Sequence, residues 1–197
     1  LMLLAGYQHL GTAIMGMNSA TGRCHTMDDR ADGFVRGEGG GAMLLSHHDP
    51  STSDTATTET FGSAAKHNGR SASFTALNGL SQQRLLKAAL RDGSATSESV
   101  AFLEQHGTGT PLGDPIEVSG AAAVLASPTS SLSVGGVKAN CGHAEAAAGV
   151  SGLVKANQVL QRKASPTNAA LWERYVDSFA ESAAESEAVL RRALRNC

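Results

Sequence analysis

Charge is scarce in this chain. Asp, Glu, Lys and Arg make up 17% of its 197 residues, and the formal net charge is -2. Such a balance excludes the basic footprint that gathers nucleic acid or an anionic membrane surface. Cysteine is scarce as well. Cys24, Cys141 and Cys197 lie far apart with no C-x-x-C spacing. A disulfide framework is therefore not expected, and a reduced, intracellular setting (cytoplasmic or organellar) is. Long apolar runs are missing: the opening LMLLAG is too short for a membrane span or a secretory signal. No internal repeat shows at short period. No short-spaced pair such as H-x-x-x-H occurs, so His106, His143 and His47 or His48 do not read as a metal site.

Glycine is plentiful, at 22 residues, which points to closely approaching backbones rather than disorder. The length allows one large domain or two small ones. The chain starts at Leu1 rather than Met, and it is expected to be an internal piece of something longer.

Along the chain, GEGGGAMLL (37–45) predicts a glycine loop feeding a buried strand. GEGGGA loosely fits a G-x-G-x-x-A dinucleotide pattern, but a strand-like AMLL follows where a helix is needed, so nucleotide binding is not expected. A polar Ser/Thr-rich stretch after Leu45 predicts a surface loop or disordered insert. LSQQRLLKAALRD (80–92) puts Leu85, Leu86, Ala89 and Leu90 on one face, as an amphipathic helix does. VAFLE predicts a buried strand ending at Glu104. In DPIE, Asp114 reads as an N-cap, Pro115 as the first helical residue and Glu117 as its capping-box partner. Capping is the favoured reading of both carboxylates over a direct role. SLSVGGVKAN predicts a strand from Ser131 to about Ala139. An Ala/Gly-rich helix follows, against which another element must lie close. The alternation of strands and helices implies a layered α/β fold. After Pro166 the chain becomes charged and amphipathic, with Leu171, Tyr175 and Phe179 at helical spacing.

Two histidines close these strands. His106 follows FLEQ, and His143 follows VKANCG. Strand outlets are where layered α/β folds hold ligands. Either histidine alone reads as a structural residue; the pair, each beside glycine, reads as two N–H donors converging on one cleft. A developing oxyanion or enolate requires such donors. Lys138, at the end of the second strand, reads either as a solvated strand end or as a buried ammonium that keeps the imidazoles neutral. A helix start at His143 would act in the same direction.

EQHGTGTPLGDPIE and GGVKANCGHAEAAAGVSGLVKA resemble the two histidine motifs of the β-ketoacyl synthase domain of polyketide and fatty-acid synthases. MGMNSATGRCHTMDDRADGFVRGEGGGAMLL and HNGRSASFTALNGLSQ resemble further segments of that family, in the right order. The likeness runs from Leu1 to about Lys163, and HGTGTPLGDPIE leans towards the modular or type I polyketide kind. The resemblance implies a thiolase-like layered αβαβα fold, present here incompletely. Residues 1–45 would end the N-terminal half, 46–165 would form most of the C-terminal half, and 166–197 would be a divergent helical tail.

The resemblance further implies a decarboxylative Claisen condensation, joining an acyl thioester to a malonyl extender. His106 and His143 would stabilise the enolate, with Lys138 in support. Thr108 and Thr110 would bind the 4'-phosphopantetheine arm of an acyl carrier protein, no cofactor being held directly. Hydroxyls spaced by glycines suit a narrow tunnel. The partners implied are the carrier protein, acyl and malonyl thioesters, adjoining synthase domains and, in the complete domain, a second copy.

The family's cysteine elbow has no counterpart in this sequence, and its closing glycine-rich strand is replaced by the tail. The nucleophilic cysteine is therefore expected outside this chain. Cys24 sits in a polar turn, Cys141 reads as a small buried hydrophobe, and neither fits that role. The other reading is a non-catalytic, ketosynthase-like structural or carrier-binding module.

Overall fold

The computed structural model describes residues 5–47, 51, 57–69, 77–166 and 168. The tail positions Leu171, Tyr175 and Phe179 lie outside the described residues, as do His48 and Cys197. Helix α1 spans Gly6–Ile14 and α2 spans Gly79–Asp92. Strand β1 is Phe102–Glu104, α3 is Gly113–Leu125 and β2 is Ser133–Gly135. Helix α4 is the single turn Lys138–Cys141, and α5 is Ala148–Arg162. Among the described residues no helix is long and apolar enough to cross a membrane.

The two strands run parallel, with Phe102 opposite Ser133 and Glu104 opposite Gly135. A parallel pair needs a crossover, and α3 supplies it. The core lies beneath this unit. Met27, Leu125, Leu132 and Val134 are buried together, with Leu90, Leu103 and Val118 packed on them. Burial of this apolar cluster anchors the ends of both strands, and so fixes where their outlets point. Helix α2 presents its apolar face to α3 as its periodicity predicts. The side chain of Asn78 caps it, accepting from the Ser81 N–H at 3.1 Å.

Three local expectations are corrected. The second strand stops at Gly135, so Lys138 starts helix α4 rather than ending a strand. Two glycines, Gly135 and Gly136, interrupt the run; glycine is a poor strand former and lets the chain turn early. Lys138 is not a solvated end either: it is 3% exposed. The stretch after the glycine loop is not a buried strand. Leu44 is 98% exposed and Leu45 76%, because no strand among the described residues pairs with it. The glycine loop itself is the close neighbour expected for the Ala-rich helix start. A methyl group on Gly39 would come within 3.3 Å of the Ala144 Cβ.

Candidate active site

The outlets of β1 and β2 meet, and the two histidines meet with them. The ring centroids of His106 and His143 are 5.3 Å apart, edge to face at 86°. Phe34 stands against the other side of His143 at 5.2 Å. His106 is exposed and His143 half-buried, so the pair faces an accessible cleft.

Both imidazoles are held neutral. The pKa of each falls from 6.5 to about 4. Lost hydration is the first cause and the Lys138 ammonium the second; the neighbouring imidazole adds to the effect on His106 and Arg36 to that on His143. Burial pulls Lys138 below its ordinary range, while the Glu117 and Glu104 carboxylates draw it back up. The tautomer of His143 follows from its neighbour. The Glu145 backbone N–H donates to His143 Nδ1 at 3.0 Å. Nδ1 is therefore the acceptor, and the ring proton sits on Nε2, free to donate.

The loop after β1 is held from below by two carboxylates. Glu117 accepts from the N–H of His106 at 2.6 Å and of Gly107 at 2.9 Å. Asp114, 1% exposed, accepts from Gly109 at 3.1 Å, from Thr110 at 3.3 Å and from Met27 at 2.9 Å. Burial pushes both carboxyls above their usual range, and the backbone donors pull them back. This corrects the capping box. Helix α3 begins at Gly113, ahead of Asp114, and its first turn is served by Thr110, whose Oγ1 accepts from the Gly113 N–H at 3.2 Å. The carboxylates serve the histidine loop instead. A signal for this is present in the sequence: G-T-G-T leaves consecutive N–H groups that need acceptors, and two acids follow within one helical turn.

Gly109 has φ +75, and a methyl group there would meet the His25 backbone nitrogen at 2.7 Å. Only glycine lets this loop lie so close on residues 24–25. Thr108 is buried and Thr110 half-buried. Their hydroxyl oxygens face each other at 3.4 Å. Thr110 Oγ1 is occupied as an acceptor by the Gly113 N–H and keeps its O–H as a donor.

Glu104 ties the lysine turn to the strand. One carboxylate oxygen accepts from the Val137 N–H, and the other pairs with Lys155 Nζ at 2.8 Å. Neither described cysteine suits nucleophilic work in this arrangement. Cys24 is 1% exposed, bonded to the Val35 backbone on both sides, and burial pushes its thiol up. Cys141 is exposed, with its Sγ directed at the Val137 carbonyl at 3.4 Å.

What the arrangement offers is two neutral ring N–H donors, one of them with a fixed tautomer, beside a buried ammonium. That combination stabilises negative charge on an oxygen in the cleft.

Comparison with known proteins agrees. Residues 57–171 match the family model described as the C-terminal domain of β-ketoacyl synthase, and residues 2–50 match that of the N-terminal domain. The chain is 43% identical over 155 residues to one of the phenolphthiocerol/phthiocerol polyketide synthase proteins of Mycobacterium tuberculosis, covering 78% of this chain and 10% of that protein. Another protein of the same description, from Mycobacterium bovis, is 43% identical over 159 residues, covering 79% of this chain and 7% of that one. Among solved structures, the ketosynthase from module 6 of the bacillaene synthase of Bacillus subtilis 168 superposes with a TM-score of 0.82 at 31% identity. An oxazolomycin ketosynthase domain of Streptomyces albus JA3453 superposes at 0.81 and 30%. Each match covers 88% of this chain and 32% of the neighbour. The fold is thus the thiolase-like one of ketosynthase domains, of which this chain spans about a third. The chain belongs to the β-ketoacyl synthase family.

Proposed function

We propose that this chain supplies the decarboxylating side of a ketosynthase condensation site, acting as part of an acyltransferase in polyketide or fatty-acid synthesis. A malonyl unit enters as a thioester on the 4'-phosphopantetheine arm of an acyl carrier protein. The bond from its α-carbon to the carboxylate breaks, carbon dioxide leaves, and the electron pair moves onto the thioester oxygen as an enolate. His106 and His143 donate ring N–H bonds to that oxygen, and the Lys138 charge keeps both rings in the donating, neutral form. The enolate carbon then attacks the carbonyl of an acyl chain held on a cysteine, forming the new C–C bond and releasing the thiolate. Thr108 and Thr110 line the path of the arm, with the Thr110 O–H available to its amides.

The acyl-accepting cysteine comes from outside this chain, since Cys24 is sealed and Cys141 has its Sγ turned to a backbone carbonyl. Residues 1–45 and 46–165 act as parts of the two ketosynthase halves, in an intracellular synthase whose complete domain pairs with a second copy. The observation that carries this reading is the 5.3 Å separation of two neutral imidazoles at adjoining strand outlets.

The test is release of carbon dioxide from a malonyl-carrier thioester by the full-length protein that bears this chain. Replacing His106 or His143 with Ala removes one donor and slows release by roughly a hundredfold or more. Unchanged release in both variants would sink the proposal and leave the non-catalytic, carrier-binding module as the better reading.

A further inference from the structure

Resting on that reading, we infer that the Arg36–Glu145 ion pair is a positioning strut for His143, setting the ring's orientation and tautomer from outside the cleft. Arg36 is buried, with 1% of its side chain exposed, and its Nε pairs with Glu145 Oε1 at 2.7 Å. One end of the guanidinium, Nη2, donates to Gln8 Oε1 on α1 at 3.1 Å. The other partner, Glu145, is the residue whose backbone N–H fixes His143 Nδ1.

Glu145 holds a left-handed backbone, with φ +39. That region is unfavourable for a side chain with a Cβ by about 1–2 kcal/mol, so a restraint is needed to keep it. Without that φ, the N–H would swing off the ring. The ion pair supplies the restraint. It is fixed in turn by backbone bonds from the same segment as Arg36. His143 N–H donates to the Val35 carbonyl at 2.7 Å, and Gly37 N–H donates to the His143 carbonyl at 2.9 Å. Residues 35–37 therefore hold His143 by its backbone and, through Arg36 and Glu145, by its ring. The charged and titratable groups around the ring are Lys138 and Cys141 on α4, His106 at the end of β1, Arg36 and Glu145.

The strut makes two separable contributions. Its geometry aims Nε2–H, and the charge of Arg36 opposes protonation of the ring. Each has its own signature in carbon dioxide release by the full-length protein, measured at limiting and saturating malonyl-carrier thioester from pH 4.5 to 8. Glu145→Gly keeps the N–H and tolerates the positive φ but loses the anchor. The expected result is a kcat lower by on the order of tenfold with KM unchanged. Arg36→Met shifts the acid limb of the profile up towards pH 6.5, and Arg36→Lys brings it back down. Glu145→Gln keeps size and shape, so it reports even where Glu145→Gly does not fold; its kcat falls severalfold at constant KM. Wild-type kcat in Glu145→Gln together with an unmoved acid limb in Arg36→Met overturns the strut. Because His143→Ala is measured in the same assay, the outcomes separate. A slow His143→Ala with unaffected strut variants refutes the strut alone, whereas an unaffected His143→Ala refutes the function proposed above.

Discussion

The edge of one imidazole meets the face of the other: His106 and His143 stand at 86°, 5.3 Å between centroids. Two rings so close cannot both carry protons, and the Lys138 ammonium nearby makes even one unfavourable. The chemistry that follows is donation from neutral rings rather than proton storage.

Its pH dependence has a definite sign. Each ring takes up a proton only near pH 4, against 6.5 for an ordinary histidine. Protonation of His143 would set a new N–H at Nδ1 against the Glu145 N–H and break that bond. The rate of malonyl-thioester decarboxylation should therefore stay level as pH falls through 6.5 and decline only towards 4. In the same window the unfolded chain binds protons that the folded one refuses, so the histidines' contribution to stability is full above 6.5 and is lost on acidification. An acid limb centred at 6–7 in the wild-type profile would contradict the neutral-pair assignment.

Asp114 and Glu117 should matter for stability and for His106 alike. Asp114→Ala strands three backbone N–H groups, of Met27, Gly109 and Thr110. Each buried orphan costs about 1–3 kcal/mol, so the expected loss is several kcal/mol, read as a drop in the urea midpoint. Asp114→Asn keeps one acceptor oxygen and loses less. Glu117→Ala frees the His106 and Gly107 N–H groups and should lower kcat more than it raises KM, since it loosens a donor rather than a binding wall. Equal behaviour of Asp114→Ala and Asp114→Asn would show that hydrogen-bond acceptance is not what Asp114 provides.

Expressed alone, the chain should show its apolar surface. Tyr7, Ile14 and Leu112 are each 77% exposed, Phe61 75% and Leu44 98%. Large apolar side chains left uncovered in this number mark surfaces that another structure covers. The expected outcome is binding of a hydrophobic dye, weak near-UV circular dichroism and association at micromolar concentration. A sharp cooperative melt with a full near-UV signal and no dye binding would count against it.

Much of this site is legible without coordinates, and what is not has physical reasons. A histidine at the end of an apolar run, beside glycine, announces a strand outlet, and both outlets appear where the sequence puts them. Helix α2 is read from its leucine spacing because a 3.6-residue period is local. Asp114 and Glu117 mislead because D-P-x-E fits a local capping pattern, while their actual partners are set by folding; Met27 is 87 residues from Asp114. The pairing of Arg36 with Glu145 is invisible in the sequence for the same reason. The apolar AMLL reads as buried on composition alone, yet burial depends on a neighbour, and among the described residues none covers Leu44.

Gly109 provides the strictest test of how the loop holds its residues. The site needs the main chain at 109 in a left-handed conformation, φ +75, pressed on the backbone of Cys24 and His25. Its N–H is bonded to Asp114, and its carbonyl accepts from the Gly33 N–H at 3.0 Å. Gly109→Ala adds two penalties. The positive φ costs about 1–2 kcal/mol for any residue with a Cβ. The methyl group also meets backbone atoms at 2.7 and 3.1 Å, which cannot rotate away as a side chain would. Gly22 separates the two effects, because it has φ +68 with nothing within 4 Å of a built methyl group. Gly22→Ala should lose only the conformational part and keep activity. Gly109→Ala should lose more stability and most of the decarboxylation rate, since Thr108, Thr110 and His106 ride on the displaced loop. Were both variants to lose the same stability and keep the same rate, close packing at Gly109 would play no part in shaping the site.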